Sequence, residues 1–126
     1  MEQERALGDR AIVLIVEDEP LIRLDAVAVI EETGFKVIEA ANADEAILIL
    51  QGRNDILIVF IDIHMPGSMD GLRLAHAVRD RWPPIKLIVT SGHMRVAESD
   101  LPTGGRFFSK PYRSNELVQA LHELAM

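Results

Sequence analysis

The chain contains no cysteine, so disulfide bonds and metal sites built on thiolates are excluded. Positive charge is also in deficit, because 13 lysines and arginines stand against 20 aspartates and glutamates. The net charge of −7 disfavours direct binding to nucleic acid or to an anionic membrane surface, since both are recognised through basic patches. A reducing, cytoplasmic environment fits the missing cysteine.

Long hydrophobic runs are missing as well. No apolar segment approaches the roughly 20 residues of a transmembrane helix, and the first ten residues, MEQERALGDR, lack the apolar core of a signal peptide. The chain has 126 residues, a length that suits one domain and is too short for two. Its composition, 48% hydrophobic and 26% charged, is that of a globular protein that buries a core. We therefore expect a cytoplasmic protein with a polar N-terminal extension at 1–10 and a single domain at 11–126.

Five short hydrophobic runs alternate with helix-like stretches along the chain. The runs, each too short for a typical helix, are 12–16, 36–40, 56–61, 85–89 and 106–109. Such alternation predicts a parallel sheet covered by helices on both faces. For five strands in a chain of this length, we predict a doubly wound, flavodoxin-like α/β domain with sheet order 2-1-3-4-5.

Local signals predict where the helices begin and end. Pro20 suits the first turn of the first helix, and Asn42 suits an N-cap with Glu45 at the reciprocal position. In the first helix, four apolar residues at helical spacing are expected to face the sheet: Leu21, Leu24, Val27 and Ile30. The stretch before the fifth strand is interrupted by the segment LPTGG at 101–105, so the fourth helix is predicted to be short or irregular.

Polar residues follow four of the predicted strands at the point where each strand ends. They are Glu17-Asp18-Glu19 after the first, Asp62 after the third, Thr90-Ser91 after the fourth and Lys110-Pro111 after the fifth. In a doubly wound sheet, ligands bind beyond the carboxyl ends of the strands, where the strand order reverses. The sequence therefore predicts one site built from all four segments.

Three carboxylates at one sheet edge repel each other, and a divalent cation removes that conflict. Oxygen ligands with room for water suit Mg²⁺ better than a full Ca²⁺ cage. A carboxylate beside a cation and a lysine can act as a nucleophile and form an aspartyl phosphate. We therefore interpret Asp62 as a phosphoryl acceptor, with Mg²⁺ and Lys110 neutralising charge on the transferring oxygens.

Each residue taken alone also has an ordinary interpretation. The acidic triplet 17–19 suits a solvated loop or a helix N-terminus, Asp62 suits a cap, and Thr90 suits a local backbone hydrogen bond. Lys110 suits an exposed surface. The shared sheet edge and the chain order favour a common site.

Five segments carry a resemblance to a known family. They are VLIVEDEP at 13–20, IDIHMPG at 61–67, MDG at 69–71, VTS at 89–91 and KPY at 110–112. Each is modest alone, but their order and spacing together are specific. From about Ala11 to its C-terminus, the chain resembles the receiver domain of bacterial two-component response regulators, the CheY-like family.

The resemblance implies a phosphorylation switch and no enzyme beyond slow autodephosphorylation. A histidine kinase or histidine phosphotransfer protein would donate the phosphoryl group to a stand-alone receiver, monomeric or weakly dimeric, that signals to a downstream protein. The resemblance implies that Asp62 is the phosphoacceptor and also a metal ligand. It implies that Mg²⁺ is bound by Asp18 directly, by Glu17 through water and by the backbone carbonyl of His64. It further implies that Thr90 and Lys110 contact the phosphoryl group and that Phe107 changes rotamer together with Thr90. The Lys110–Pro111 bond is expected to be cis.

Two departures from the family pattern stand out. Ser68 lengthens the loop after the acceptor by one residue, and the segment between Thr90 and Lys110 is shortened. The shortening affects the fourth helix and any dimer that uses the surface around it. His64 and Gly92, each two positions after a site residue, border the acceptor in this family.

Other functions remain open at this stage. A phosphorylation-independent interaction domain could keep the same fold, and a metal-dependent phosphohydrolase could use Asp62 as its nucleophile, although such enzymes usually carry a second acid where this chain has His64. A flavodoxin-like cofactor binder would need a phosphate-cradling loop in place of Glu17-Asp18-Glu19. The initial Met favours a complete protein over a receiver cut from a hybrid kinase.

Overall fold

Strands and helices alternate along residues 12–63, 70–92 and 98–125, the part of the chain described by a computed structural model, with a 3₁₀ turn before the last strand. The elements are β1 Ile12–Val16, α1 Pro20–Glu32, β2 Lys36–Ala40, α2 Ala43–Gly52, β3 Ile56–Asp62, α3 Gly71–Arg81, β4 Lys86–Ser91, a 3₁₀ turn Glu98–Asp100, β5 Arg106–Ser109 and α4 Ser114–Ala125. Both β3 and β4 extend far enough to include polar residues of the predicted site, Asp62 and Thr90.

The five strands form one sheet of order β2-β1-β3-β4-β5, and every neighbouring pair is parallel. This confirms the predicted doubly wound topology. The order reverses between β1 and β3, the two central strands, whose residues are almost all buried. Continuous burial explains why both strands read as uninterrupted apolar runs, as is typical of parallel strands covered on both faces.

Alternate residues of the strands feed two separate cores. One core lies under α2 and α3, and its buried helix residues are Ala43, Ala46, Leu50, Leu74, Ala75 and Val78. The other lies under α1 and α4, with Ala26, Ile30, Leu117, Ala120 and Leu121. Because successive strand side chains point to opposite faces, a residue's position in its strand decides which core it joins.

The predicted helix starts at Pro20 and Asn42 are confirmed. Pro20 opens α1, and the Asn42 side chain accepts a hydrogen bond from the Glu45 amide at 2.9 Å. The Glu45 carboxylate accepts one in return, at 3.0 Å, from the amide of Ala41 rather than that of Asn42. The first bond satisfies an amide that the first turn of a helix leaves without a partner, and the second ties the residue before the cap to that turn.

Two of the four apolar residues predicted to face the sheet from α1 point to solvent instead. Leu21 is 71% exposed and Leu24 is 62% exposed, whereas Ile30 is buried. A helix turns by about 100° per residue, so residues spaced by three drift around it, and Leu21 lies about half a turn away from Ile30. The prediction for Leu21 and Leu24 was wrong, and α1 buries Ala26 and Ile30.

The connection from β4 to β5 is irregular, as predicted. Its described part, 98–105, contains one 3₁₀ turn and no α-helix. Two side chains of α3 fasten it: His76 Nε2 lies 2.7 Å from the Asp100 carbonyl oxygen, and Arg79 donates to the Thr103 carbonyl oxygen at 2.9 Å. Within the described ranges, no helix combines the length and apolar composition needed to span a bilayer.

Candidate functional site

The sheet register sets Asp62 and Thr90 side by side. The two residues pair directly across β3 and β4, and alternation puts both side chains on the face covered by α1 and α4. Asp62 is 4% exposed and Thr90 is fully buried. The register of β3 and β4 therefore places the carboxylate-bearing and hydroxyl-bearing residues next to each other at the carboxyl edge of the sheet.

Backbone hydrogen bonds extend the sheet ladder beyond the strand ends and fix the other site residues. The Glu17 amide donates to the Ala40 carbonyl oxygen at 3.1 Å, and the Lys110 amide donates to the Ser91 carbonyl oxygen at 2.8 Å. The Lys110–Pro111 bond is cis, as expected. Glu17 and Lys110 thus project from positions held by the sheet itself.

Three carboxylates crowd together at this edge. One oxygen from each of Glu17, Asp18 and Asp62 lies within 4.8 Å of the others. Glu17 is only 2% exposed, so its charge is largely removed from water. Burial, a hydrogen bond with the Glu17 carboxyl and the charge of Glu17 together raise the pKa of Asp18 above its ordinary 3.8, and a backbone hydrogen bond and Lys110 oppose the rise less strongly.

Lys110 supplies the ammonium that faces these carboxylates. Its Nζ lies 3.1 Å from Glu17 Oε1 and 3.4 Å from Asp62 Oδ1, and its side chain is 20% exposed. Lys110 therefore pairs with two of the three carboxylates, those of Glu17 and Asp62. A second cation bound by the carboxylates would offset the remaining negative charge.

The donor set fits a hard divalent cation. All three candidate ligands are carboxylate oxygens, the kind that Mg²⁺ prefers, and their number leaves coordination positions for water. The further predicted ligand, the His64 carbonyl, lies outside the described residues, as does the loop that contains Ser68. Glu17 Oε2 also accepts a hydrogen bond from the Glu19 amide at 3.1 Å, which orients the carboxylate.

The Thr90 hydroxyl is buried and has no hydrogen-bond partner among the residues that the structure describes. A buried hydroxyl without a partner costs about 1–3 kcal/mol. Because Thr90 neighbours Asp62, a group carried on Asp62 could supply the missing acceptor oxygen. The orphaned hydroxyl is the feature of the site that best fits a transient ligand.

Phe107 lies apart from Thr90. It pairs with Val89 across β4 and β5, and its partly buried ring packs against the core under α2 and α3. The structure therefore places the two predicted switch residues on neighbouring strands but with side chains directed by alternation to opposite faces.

Two residues to which the sequence assigned no role, Arg23 and Tyr112, support the site. Arg23 of α1 donates to the Glu17 carbonyl oxygen at 2.7 Å and pairs with Glu39 of β2 at 3.0 Å, so it ties the acidic segment to the edge strand. A basic residue one turn into a helix that follows an acidic triplet was the available signal.

Tyr112 is the second. Its ring makes edge contacts with Phe60 and Phe108, at centroid distances of 6.0 and 6.3 Å. Burial, followed by the negative charges of Glu17, Asp25 and Asp62, raises the pKa of Tyr112 to about 12. Its position directly after the Lys110–Pro111 pair was the sequence signal.

The family model of the response regulator receiver domain matches residues 13–122. The sensor kinase CckA of Brucella abortus is 34% identical over 128 residues, which cover 98% of this chain but only 13% of the kinase. The chain thus spans a small part of that relative's length.

Solved structures give the same picture. A response regulator receiver protein from Sinorhizobium medicae matches with a TM-score of 0.85 and 26% identity, over 91% of this chain and 94% of that one. The response regulator TrrA of Thermotoga maritima, solved in complex with Mg²⁺ and BeF, matches with a TM-score of 0.78 and 25% identity, over 90% and 98% of the two chains. These proteins share the parallel five-stranded architecture described above.

Proposed function

Because the chain belongs to the response regulator receiver family, we propose that Asp62 accepts a phosphoryl group from a phosphohistidine of a histidine kinase or phosphotransfer protein. We assign 11–126 to the receiver domain and 1–10 to a polar extension. The observation that carries the proposal is the buried carboxylate of Asp62, which pairs with the ammonium of Lys110 and lies in register with Thr90, whose hydroxyl lacks a partner among the described residues.

The transfer is a displacement at phosphorus. An oxygen of the Asp62 carboxylate forms the new O–P bond while the P–N bond to the donor imidazole breaks, and the imidazole nitrogen keeps the electron pair. Lys110 already lies 3.4 Å from Asp62 Oδ1, so its charge can pair with the oxygens of the incoming group. Positioning and charge neutralisation are most of what this reaction requires.

Asp18, Glu17 and Asp62 are the residues of this chain that would hold Mg²⁺. When bound, the cation supplies positive charge that lowers the repulsion between the carboxylate and the approaching phosphoryl oxygens. Arg23 keeps the Glu17 backbone in place through its carbonyl oxygen. The Mg²⁺ and BeF complex of TrrA supports the assignment by similarity of fold.

Phosphorylation would act on Thr90 first. A phosphoryl oxygen on Asp62 offers the acceptor that the hydroxyl lacks, so the phosphorylated state gains a hydrogen bond that the free state does not have. Thr90 and Phe107 face opposite sides of the sheet, so a shift of Thr90 towards Asp62 would reach Phe107 through the paired backbones of β4 and β5. The signal is then a population shift read by a protein partner.

Mass spectrometry of the intact protein tests the proposal. The protein is incubated with Mg²⁺ and acetyl phosphate beside an Asp62→Asn variant, an Asp55→Asn variant and a sample with EDTA. Wild type and Asp55→Asn are expected to gain one phosphoryl group, and the other two samples none. No gain in wild type, with several donors tried and Mg²⁺ binding confirmed, would favour a phosphorylation-independent interaction domain.

A further inference from the structure

The first residue of α3 packs against the backbone of the phosphoryl acceptor. A β-carbon built with ideal geometry on Gly71 would overlap the carbonyl oxygen of Asp62. It would also lie 2.6 Å from the Ile63 α-carbon and 2.7 Å from the Asp62 carbonyl carbon. All three atoms are backbone, so no side-chain rotation can relieve the overlap.

Position 71 needs glycine because there is no room for a β-carbon, and not because its backbone conformation excludes other residues. Among the described glycines, only Gly34 and Gly104 have a positive φ. Gly71 begins α3 with a helical backbone that any residue adopts. The close approach to the Asp62 backbone therefore accounts for glycine at this position.

Hydrogen bonds hold this approach in place from both sides. The Gly71 amide donates to the Ile63 carbonyl oxygen at 3.0 Å, and the Ile63 amide donates to the Thr90 carbonyl oxygen at 2.9 Å. Asp70 caps α3 by accepting from the Arg73 amide at 2.9 Å. The residue after the acceptor is therefore clamped between the start of α3 and the strand that carries Thr90.

We infer that Gly71 is a positioning residue that sets where the Asp62 carboxylate stands relative to Lys110 and Thr90. The inference rests on the proposed function and deepens it. A side chain at 71 must push α3 away from β3, or push the end of β3 towards β4. Displacements of about 1 Å in a reacting group can lower a rate by about 100-fold.

A comparison of two glycine variants tests the inference. Gly71→Ala is expected to lower the maximal rate of phosphorylation by acetyl phosphate, at saturating donor and Mg²⁺, by at least about tenfold. Gly52→Ala is the matched control, because Gly52 also lies in a helix and a β-carbon there meets nothing within 4 Å. Rates are measured at a temperature where circular dichroism shows both variants folded, so that a merely structural effect leaves the maximal rate unchanged.

A second pair of variants decides the matter if Gly71→Ala does not fold. Asp70→Ala removes the cap that holds the first turn of α3 without adding an atom, and Asn42→Ala removes the equivalent cap of α2. We expect Asp70→Ala to lower the maximal rate by about threefold, Asp70→Asn to restore it because Asn also caps helices, and Asn42→Ala to leave it unchanged.

Each outcome bears on a separate claim. Wild type that takes up no phosphoryl group overturns the proposed function, and this inference with it. Phosphorylated wild type with an unchanged rate in folded Gly71→Ala overturns the role of Gly71 alone. Where Gly71→Ala is unfolded, equal rates for Asp70→Ala and Asn42→Ala overturn it as well.

Discussion

Charge is arranged differently at the two edges of the sheet. At the amino-terminal edge, Arg53 pairs with Asp55 at 2.8 Å and Arg106 pairs with Glu123 at 2.6 Å, and all four side chains are more than 40% exposed. At the carboxyl edge, the carboxylates of Glu17, Asp18 and Asp62 lie together, and the two that pair with Lys110, on Glu17 and Asp62, are nearly fully buried. One edge has matched, hydrated pairs, and the other has buried, unbalanced charge.

The difference separates residues that serve stability from residues that serve chemistry. Exposed ion pairs contribute little to folding because water screens them, so the amino-terminal edge is close to neutral for folding. Buried like charges destabilise a fold unless something binds them. The carboxyl edge is therefore expected to lower the stability of the free protein and to recover it when ligands bind.

Lys110→Met should produce the largest effect. It removes the only described cation that faces Asp62 and Glu17, so the phosphorylation rate is expected to fall by about 100-fold or more, as when an electrostatic stabiliser is lost. Arg106→Met, which removes a cation at the opposite edge, should leave the rate unchanged. Quenched-flow or time-resolved intact mass with acetyl phosphate gives both rates, and equal losses would break the contrast between the edges.

Asp18→Asn and Asp55→Asn should shift stability in opposite directions. The pKa of Asp18 is raised, so its charged form destabilises the metal-free fold and stability is lost as pH rises through its folded pKa. The hydrogen bond from Arg53 lowers the pKa of Asp55, so that carboxylate contributes stability that is lost as pH falls.

Thermal unfolding without metal, at pH 4 and pH 7, measures both changes. At pH 7, Asp18→Asn should unfold at a higher temperature than wild type and Asp55→Asn at a lower one, and both differences should shrink at pH 4. Added Mg²⁺ should stabilise wild type and Asp55→Asn but not Asp18→Asn. Mg²⁺ stabilisation of Asp18→Asn equal to that of wild type would rule out Asp18 as a ligand.

Thr90→Val should separate function from stability. Valine has the shape of threonine without the hydroxyl that lacks a partner, so the free energy of unfolding is expected to rise by about 1 kcal/mol. Phosphorylation should nevertheless slow, since a phosphoryl contact is lost. Thr103→Val, at an exposed position, is the control in urea unfolding. Destabilisation of Thr90→Val would show that the hydroxyl is satisfied in the free protein.

The smallest effect concerns Tyr112, the only tyrosine of the chain. Its raised pKa means that the neutral phenol is favoured by folding, so stability is lost between pH 10 and about 12. The absorbance of the phenolate should show a midpoint near the raised pKa, and Glu17→Gln should lower that midpoint slightly by removing a nearby negative charge. A midpoint at 10 in the folded protein would place Tyr112 away from the site.

The sequence was sufficient to predict the sheet order and the four segments that meet at the carboxyl edge. Parallel strands place their carboxyl ends together, so polar residues at strand ends identify the site without any side-chain detail. The irregular connection before β5 was predictable too, because Pro102, Gly104 and Gly105 are incompatible with a long helix.

Features that depend on how each helix is rotated and placed against the sheet were not predictable. Leu21 and Leu24 were expected to be buried because residues spaced by three share a helix face over one turn, but they drift to the opposite face over nine residues. The contact between Gly71 and the Asp62 backbone depends on how closely α3 approaches β3. The bond from Arg23 to Glu17 depends likewise on where α1 sits above the edge strand.

Chemical trapping of the phosphoryl group identifies the residue that carries it, and so tests whether Asp62 is the acceptor. Protein phosphorylated with acetyl phosphate and Mg²⁺ is reduced with borohydride, which converts an aspartyl phosphate to homoserine, and is then digested and sequenced by mass spectrometry. We expect homoserine at position 62 and none in a sample prepared without Mg²⁺. A phosphoryl group on any other residue, with Asp62 unmodified, would rule out Asp62 as the acceptor.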